Sequence, residues 1–300
     1  MVGSFITTIV YSPDFINGLA NRMESFINHE LDFDWDDNFH SNITFEGDSK
    51  GNYIHESQYV WQGSELDVET DLVNADVTIE KAEGSQLEVY IKTKNPEYYR
   101  VNFEDGELII TEKKKSRLWL FGWKAYQKAQ VTIKVPTEEA KISLETVNGD
   151  LSVQLKGGKL DASTINGNVT LGQSKFSEAM LETVNGKILV SNSEILEELK
   201  LNTVNGGLNI ERVNANYLDG EIINGDFFLS DICGEQLVAT TINGDFNWTN
   251  IYVTSIDVDK LNGSFTLENE DATYQIQSFN LSGIKKNVEI KANILNISYN

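Results

Sequence analysis

The sequence predicts an all-β, single-stranded β-solenoid (a β-helix or β-roll) of Asn-Gly repeats about nineteen residues long. Three observations carry that expectation. Asn-Gly recurs at Asn148, Asn166, Asn185, Asn205, Asn224, Asn243 and Asn262, with spacings of 18, 19, 20, 19, 19 and 19 residues. Apolar residues alternate on both sides of every copy. The 300-residue chain has 22 glycines against three prolines, so sharp turns fall to Gly and Asn.

Counting from each Asn as position 0, positions −6 and −4 are mostly apolar, as in Ile142/Leu144 and Leu199/Leu201. Position −2 is Thr in five of seven copies, and +3 and +5 are apolar in all of them, as in Val169/Leu171 and Phe246/Trp248. Alternation of period two gives each unit two short strands with one inward face. Asn-Gly between them supplies residues that tolerate positive φ at a corner. An array of Asn-Gly hairpins is the local alternative, but it gives no reason for a constant spacing. Stacked coils do, because equivalent side chains then lie above one another. The seven asparagines are therefore a candidate structural ladder, with amides hydrogen-bonded from coil to coil. At about 4.8 Å per coil, seven coils make a rod of about 30 Å.

The flanks divide the chain into three parts. Residues 1–52 hold an apolar segment from Val2 to Val10, an amphipathic helix over 14–30 and an acidic linker. Residues 53–136 are β-rich and close the first end of the solenoid as a meander. Within them Val68 to Ile79 fits the repeat frame, with Ala75 in place of Gly. Residues 137–300 hold the repeats and a degenerate capping coil. There Tyr274, Ile276, Ser278, Phe279 and Asn280 reproduce positions −6 to 0, and the forward strand is displaced to Val288–Ile290. A final strand over 292–299 is expected to cover the open edge.

The formal charge of −22, from 46 acidic and 24 basic residues, argues against nucleic acid as a partner and against electrostatic docking on anionic lipid. Cys233 is the single cysteine, which excludes an intrachain disulfide and a cysteine-built metal site; it reads as a small core or turn residue. The three histidines precede residue 56. Asp150, Asp226 and Asp245 share position +2, but Asn168, Lys187, Gly207 and Ser264 hold it elsewhere, so no acid pair stands out. No catalytic residue, cofactor or metal is expected. The most unusual local feature is Leu118, Trp119, Leu120, Phe121 and Trp123, directly after a basic run from Lys113 to Arg117. Such a loop either plugs a coil end or touches a membrane or a partner.

From about residue 55 to residue 300 the order of parts resembles the bacterial putative-adhesin domain of LiaG-like and YvlB-like envelope proteins. The resemblance rests on the Val68–Ile79 strand pair, the meander ending in Val131-Thr-Ile-Lys-Val-Pro136, and the serial Thr-Val/Ile-Asn-Gly units. Many relatives carry Ser-Gly where this chain has Asn-Gly. The resemblance implies a non-catalytic, envelope-associated adhesin-like binding or scaffold protein, tethered to the membrane on its extracytoplasmic face. Its partner would be a surface or envelope protein or glycan. It also favours reading the Val2–Val10 run as the tail of a membrane helix over a buried or interfacial edge. A self-polymerising scaffold is the alternative reading, and a carbohydrate-active β-helix enzyme a third.

Overall fold

Successive copies of the repeat pair in parallel, residue for residue, in the computed structural model of the protein. The structure describes residues 43–61, 63, 65–113, 127–283 and 287–299. The expected helix over 14–30 and the Leu118–Trp123 loop lie outside the described residues. A single 3-10 turn, Pro96–Tyr98, is the one helical element among the described residues, and none there is long and apolar enough to cross a membrane.

Among the described residues twenty-one strands form one wound sheet. The first eight are β1 (Glu46–Gly47), β2 (Tyr53–Val60), β3 (Leu66–Leu72), β4 (Ala75–Lys81), β5 (Gln86–Thr93), β6 (Tyr99–Glu104), β7 (Glu107–Glu112) and β8 (Ala129–Val135). Shorter repeat strands follow: β9 (Ala140–Thr146), β10 (Leu151–Gln154), β11 (Lys159–Thr164), β12 (Val169–Gly172) and β13 (Lys175–Thr183). Then β14 (Ile188–Asn205), β15 (Leu208–Asn224), β16 (Phe227–Asn243) and β17 (Phe246–Asn262) each wind round a whole coil. The chain ends with β18 (Phe265–Glu268), β19 (Gln275–Ser282), β20 (Val288–Lys291) and β21 (Asn293–Tyr299).

Each coil has three inward-facing runs where the sequence pattern suggests two. In β15 they are Leu208/Ile210, Val213/Ala215 and Leu218/Gly220/Ile222, all buried. We call them the first, second and third legs. The second leg begins where inward parity slips by one residue, at Arg212, whose φ is 55°. Gln173, Asn192, Asp231 and Asn250 hold the same left-handed backbone in neighbouring coils. The variable spacing now has a cause. The 18-residue coil after Asn148 has no left-handed residue at this corner, and pairing puts Val153 on Leu171 but Lys159 on Glu178. The 20-residue coil carries one extra residue at the next corner, where Leu196 and Glu197 stand against Ser177 alone.

Non-glycine residues take left-handed φ at the corner after the first leg; at the Asn-Gly corner none of the ladder asparagines has it, and positive φ falls to the glycines Gly225, Gly244 and Gly263, at 157°, 155° and 124°. Close approach requires glycine along the Asn-Gly corner whether or not φ is positive. A Cβ on Gly167 would stand 1.8 Å from the Gly149 carbonyl oxygen of the preceding coil, and one on Gly225 1.6 Å from that of Gly206. The same carbonyls anchor the threonine column. Thr164 Oγ1 donates to Gly149 O at 3.0 Å, Thr183 to Gly167 O at 2.8 Å and Thr203 to Gly186 O at 3.1 Å. The column ends at Ile222, and the next Thr241 Oγ1 is buried without a hydrogen-bond partner.

The first end closes out of chain order. Strands β3 and β4 lie under β9 and β10, with Leu72 on Thr146 and Val77 on Leu151. Strands β7 and β8, later in sequence, form the coil on their far side. Antiparallel strands then cap that coil: β5 on β8, β2 on β5, and β6 on β7. Tyr59, Trp61 and Phe103 plug its core, with Tyr59 and Phe103 rings 4.9 Å apart.

At the other end the expected register is corrected. Phe279 pairs with Ile256 and Leu281 with Val258, so Phe279 stands at position −6 and Asn280 lies outside position 0. Val288 pairs with Phe265, nine residues after Phe279 as Phe265 is nine after Ile256, so the forward strand keeps its frame. An insertion before β19 lengthens the coil. Asn269 bridges it, its side chain accepting from Ile251 N and donating to Ile251 O, both at 2.8 Å. Strand β21 covers the edge of β19 in parallel as one more leg, and among the described residues no strand pairs with its own far edge.

Thr183→Val removes a hydroxyl that bonds the preceding coil and should cost about 1 kcal/mol. Thr241→Val removes a buried hydroxyl with no partner and should raise the unfolding midpoint. Urea melts of the two variants beside wild type check the opposite signs; equal losses would contradict this view of the corner.

Candidate functional site

Coil stacking sorts the polar residues into columns, and each column has its own chemistry. The seven ladder asparagines form one of them. Asn166 Nδ2 donates to Asn148 Oδ1 at 2.8 Å, and the pattern repeats for Asn185, Asn205, Asn224, Asn243 and Asn262 at 2.9 to 3.1 Å. Asn148 Nδ2 ends the chain on Val73 O at 3.4 Å. With donors and acceptors spent along the axis, this column is a staple.

Position +2 has a comparable role. Asp150 Oδ1 accepts from Asn168 N at 2.7 Å, Asp226 from Asp245 N at 2.8 Å, and Asp245 from Ser264 N at 2.7 Å. These acids hold the backbone of the next coil. Among the described residues no group of three or more His, Cys, Asp or Glu side chains is placed to hold a metal ion.

A further column escaped the sequence reading. Gln173, Asn192, Arg212, Asp231, Asn250 and Asn269 each stand seven residues after a ladder Asn. Arg212 Nε donates to Asn192 Oδ1 at 2.7 Å, and Asn250 Nδ2 to Asp231 Oδ1 at 2.9 Å. A +7 that is polar in six of the seven copies, with Leu155 the exception, behind apolar +3 and +5 was the available signal, since Asn and Asp tolerate the left-handed corner. Beside this column an open groove of about 680 Å³ is lined by Lys156, Lys175, Glu194, Arg212 and Cys233 among others. Lys175 pairs with Glu194 at 3.0 Å. Cys233 is exposed there and not in the core; partial burial and Asp231 push its thiol up, away from thiolate reactivity.

The three outer faces differ in charge. On the third leg, outward positions carry Glu178, Glu182, Glu198, Asp219, Glu221 and Asp257, with Lys159 bound to Glu178 at 2.5 Å. Burial holds the Asp219 carboxyl above the usual range. On the first leg, position +4 stacks Ser152, Thr170, Leu189, Asn209, Phe228, Asn247 and Thr266 in register. No member of this column is charged, and Phe228 is 45% exposed. The Leu118, Trp119, Leu120, Phe121 and Trp123 loop lies outside the described residues; the aromatic plug seen among them is Tyr59, Trp61 and Phe103.

Glu112 ends the ladder at the first coil. Elsewhere the corner N–H groups bond the preceding coil, as Asn166 N does to Val147 O at 2.8 Å. At Val73 and Asn74 the Glu112 carboxylate takes that place, its Oε2 accepting both N–H groups at 2.9 and 2.8 Å. Burial outweighs these donors and the Tyr99 hydroxyl, and holds the carboxyl above its ordinary range.

Parallel, in-register stacking of a single strand round three legs defines the class: a repeat β-solenoid whose polar columns are mostly spent on its own cohesion. Residues 63–283 match the family described as Toastrack DUF4097, and the chain belongs to that family. Among solved structures it is similar to a putative adhesin from Parabacteroides merdae, at 13% identity, 82% of this chain, 96% of that chain and TM-score 0.41. A putative adhesin from Parabacteroides distasonis gives 15%, 82%, 98% and 0.42. A putative lipid binding protein from the same species gives 11%, 84%, 99% and 0.40. No curated protein matches the chain.

Glu112→Ala should cost about 2–4 kcal/mol by stranding two N–H groups, and Glu112→Gln, which keeps an acceptor, much less. Because the folded carboxyl titrates above the unfolded one, wild type loses stability as pH rises from the ordinary carboxylate range through the folded pKa. The difference between Glu112→Gln and wild type should therefore move in favour of the variant over that window and level off above it. Denaturant melts across acid to neutral pH measure this.

Proposed function

We propose that the protein is a non-catalytic, adhesin-like binding module of the cell envelope, tethered to the membrane on the extracytoplasmic side. Its ligand is an uncharged polysaccharide, taken on the outer face of the first leg. One observation carries the reading: the uncharged +4 column, seven coils long, with Phe228 exposed between Asn209 and Asn247 on a chain of net charge −22. A sugar ring offers an apolar face to an aromatic ring and hydroxyls to amides, and needs no countercharge. Laid along the axis, an extended sugar chain meets an equivalent position at every coil, about 4.8 Å apart. Family membership is compatible with this role and supplies no catalytic residue to set against it.

The test is co-sedimentation of the protein with insoluble neutral and acidic cell-wall polysaccharides. Binding should favour the neutral polymers and weaken about tenfold in Phe228→Ala, a loss near 1.4 kcal/mol, while the melting temperature stays put. Equal binding by wild type and Phe228→Ala would overturn the site, and retention on acidic polymers alone would overturn the ligand class.

A further inference from the structure

The two ends of the solenoid are built differently. At the first end the core is plugged by Tyr59, Trp61 and Phe103, and the coil edges are covered by antiparallel strands. The outer strand β6 carries Arg100 and Glu104, charges of the kind that protect an edge from further pairing.

At the second end the core is open. Pairing carries the inward columns on from Ile276 to Ile294, Phe279 to Ile297, Leu281 to Tyr299 and Phe265 to Val288. Among the described residues no strand pairs beyond them. Val288 is 40% exposed, Ile297 45%, Leu295 56% and Tyr299 63%. These are four of the eight large apolar side chains exposed among the described residues, and they fall within twelve residues of sequence.

The edge is also unprotected. Strand β21 reads Asn-Ile-Leu-Asn-Ile-Ser-Tyr, with no charge and no proline, in a chain where 70 of 300 residues are charged. Edge strands normally carry a charge, a proline or a bulge that blocks pairing, and a short uncharged run rich in β-branched residues is the sequence type that pairs.

We infer that this end is an interface for a second copy of the chain, joined tail to tail about a two-fold axis. The occupant follows from shape and pairing. A ring of strand edges around an apolar floor is matched by another such ring, which supplies both the backbone partners and the core. Head-to-tail stacking would require a bare parallel edge at the first end, and the strands outermost there among the described residues, β6 and β1, run antiparallel to their neighbours. Only like ends can meet, so assembly closes at two copies. Each copy carries −22, so the uncharged edge is also where two copies repel least, and added salt strengthens the contact by screening the remainder. This pairing is independent of the polysaccharide reading, because the first-leg face stays outside the joint.

Sedimentation velocity on the full chain tests it, at micromolar concentrations and at low and high salt. The expected result is one species of twice the monomer mass, favoured by salt, with no larger assembly. Ile297→Lys and Leu295→Lys should each weaken dimerisation at least tenfold, while Phe228→Lys, which adds the same charge on a lateral face, leaves it unchanged. Circular dichroism checks folding; should Ile297→Lys unfold, Leu295→Lys decides, since its side chain is already more than half exposed. A wild-type monomer under all conditions would overturn the proposal, as would open-ended growth into filaments or a dimer indifferent to both lysines.

Discussion

Close backbone approach at the Asn-Gly corner is the constraint on which the rest of the structure depends. A carbonyl of one coil points at the glycine Cα of the next, at a distance that leaves no room for a side chain. That contact fixes the vertical spacing and the lateral register together, and the Asn amides and Thr hydroxyls lock it from either side. Because nothing can be inserted at this corner, length variation is exported to the other two. The missing left-handed residue near Leu155 and the extra residue near Leu196 are such exports. The rule also gives Glu112 its place: at Val73 and Asn74 a buried carboxylate supplies the acceptor that backbone carbonyls of a neighbouring coil supply at later corners.

Core packing obeys the same register. The +3 column passes from Leu151 and Val169 to Phe227, Phe246 and Phe265, whose rings contact at 5.4 and 6.1 Å. Larger rings need room from the opposite leg. Gly220 supplies it, since a Cβ there would stand 2.4 Å from the Phe227 ring, and Ala239 follows it in the same column. Bulk is traded across the coil while volume stays filled, as close packing requires.

Much of this was legible because stacked coils convert three-dimensional neighbours into a fixed sequence interval. The ladder from Asn148 to Asn262, the Thr column and the +3 and +5 positions all announce themselves by spacing. Three things did not. The second leg has only one or two inward residues per coil, and its parity slips at the left-handed residue, so Val213 and Ala215 look out of phase with Leu208 and Ile210. The first end pairs β7 and β8 beneath β3 and β4 although they follow them in the chain, and no local pattern encodes that inversion. At the second end Asn280 mimics a ladder Asn by composition, while the true register follows Phe279 and Leu281 into the core. Burial, not residue identity, decides between the two frames.

In-register stacking carries an electrostatic cost, because it sets every side chain about 4.8 Å from its counterpart in the next coil. Like charges there are destabilising. At position −3 of the third leg the chain meets this cost by alternation, although Glu178 and Glu198 stack directly at position −7. Position −3 reads Glu145, Ser163, Glu182, Asn202, Glu221, Thr240 and Asp259, acid and neutral in turn through seven coils in register. Successive acids are thereby about 10 Å apart, near the screening length at moderate salt. A solenoid of this kind can therefore carry a charged face without losing its stack. Cohesion alone consequently gives no reason for the first-leg +4 column to lack charge through all seven coils. Nor does solubility, which a chain at −22 would gain from any added acid. Asp226, Asp245 and Glu211 stand in the columns beside it, so the lack of charge belongs to the +4 column itself, which is the feature the proposed ligand class would use.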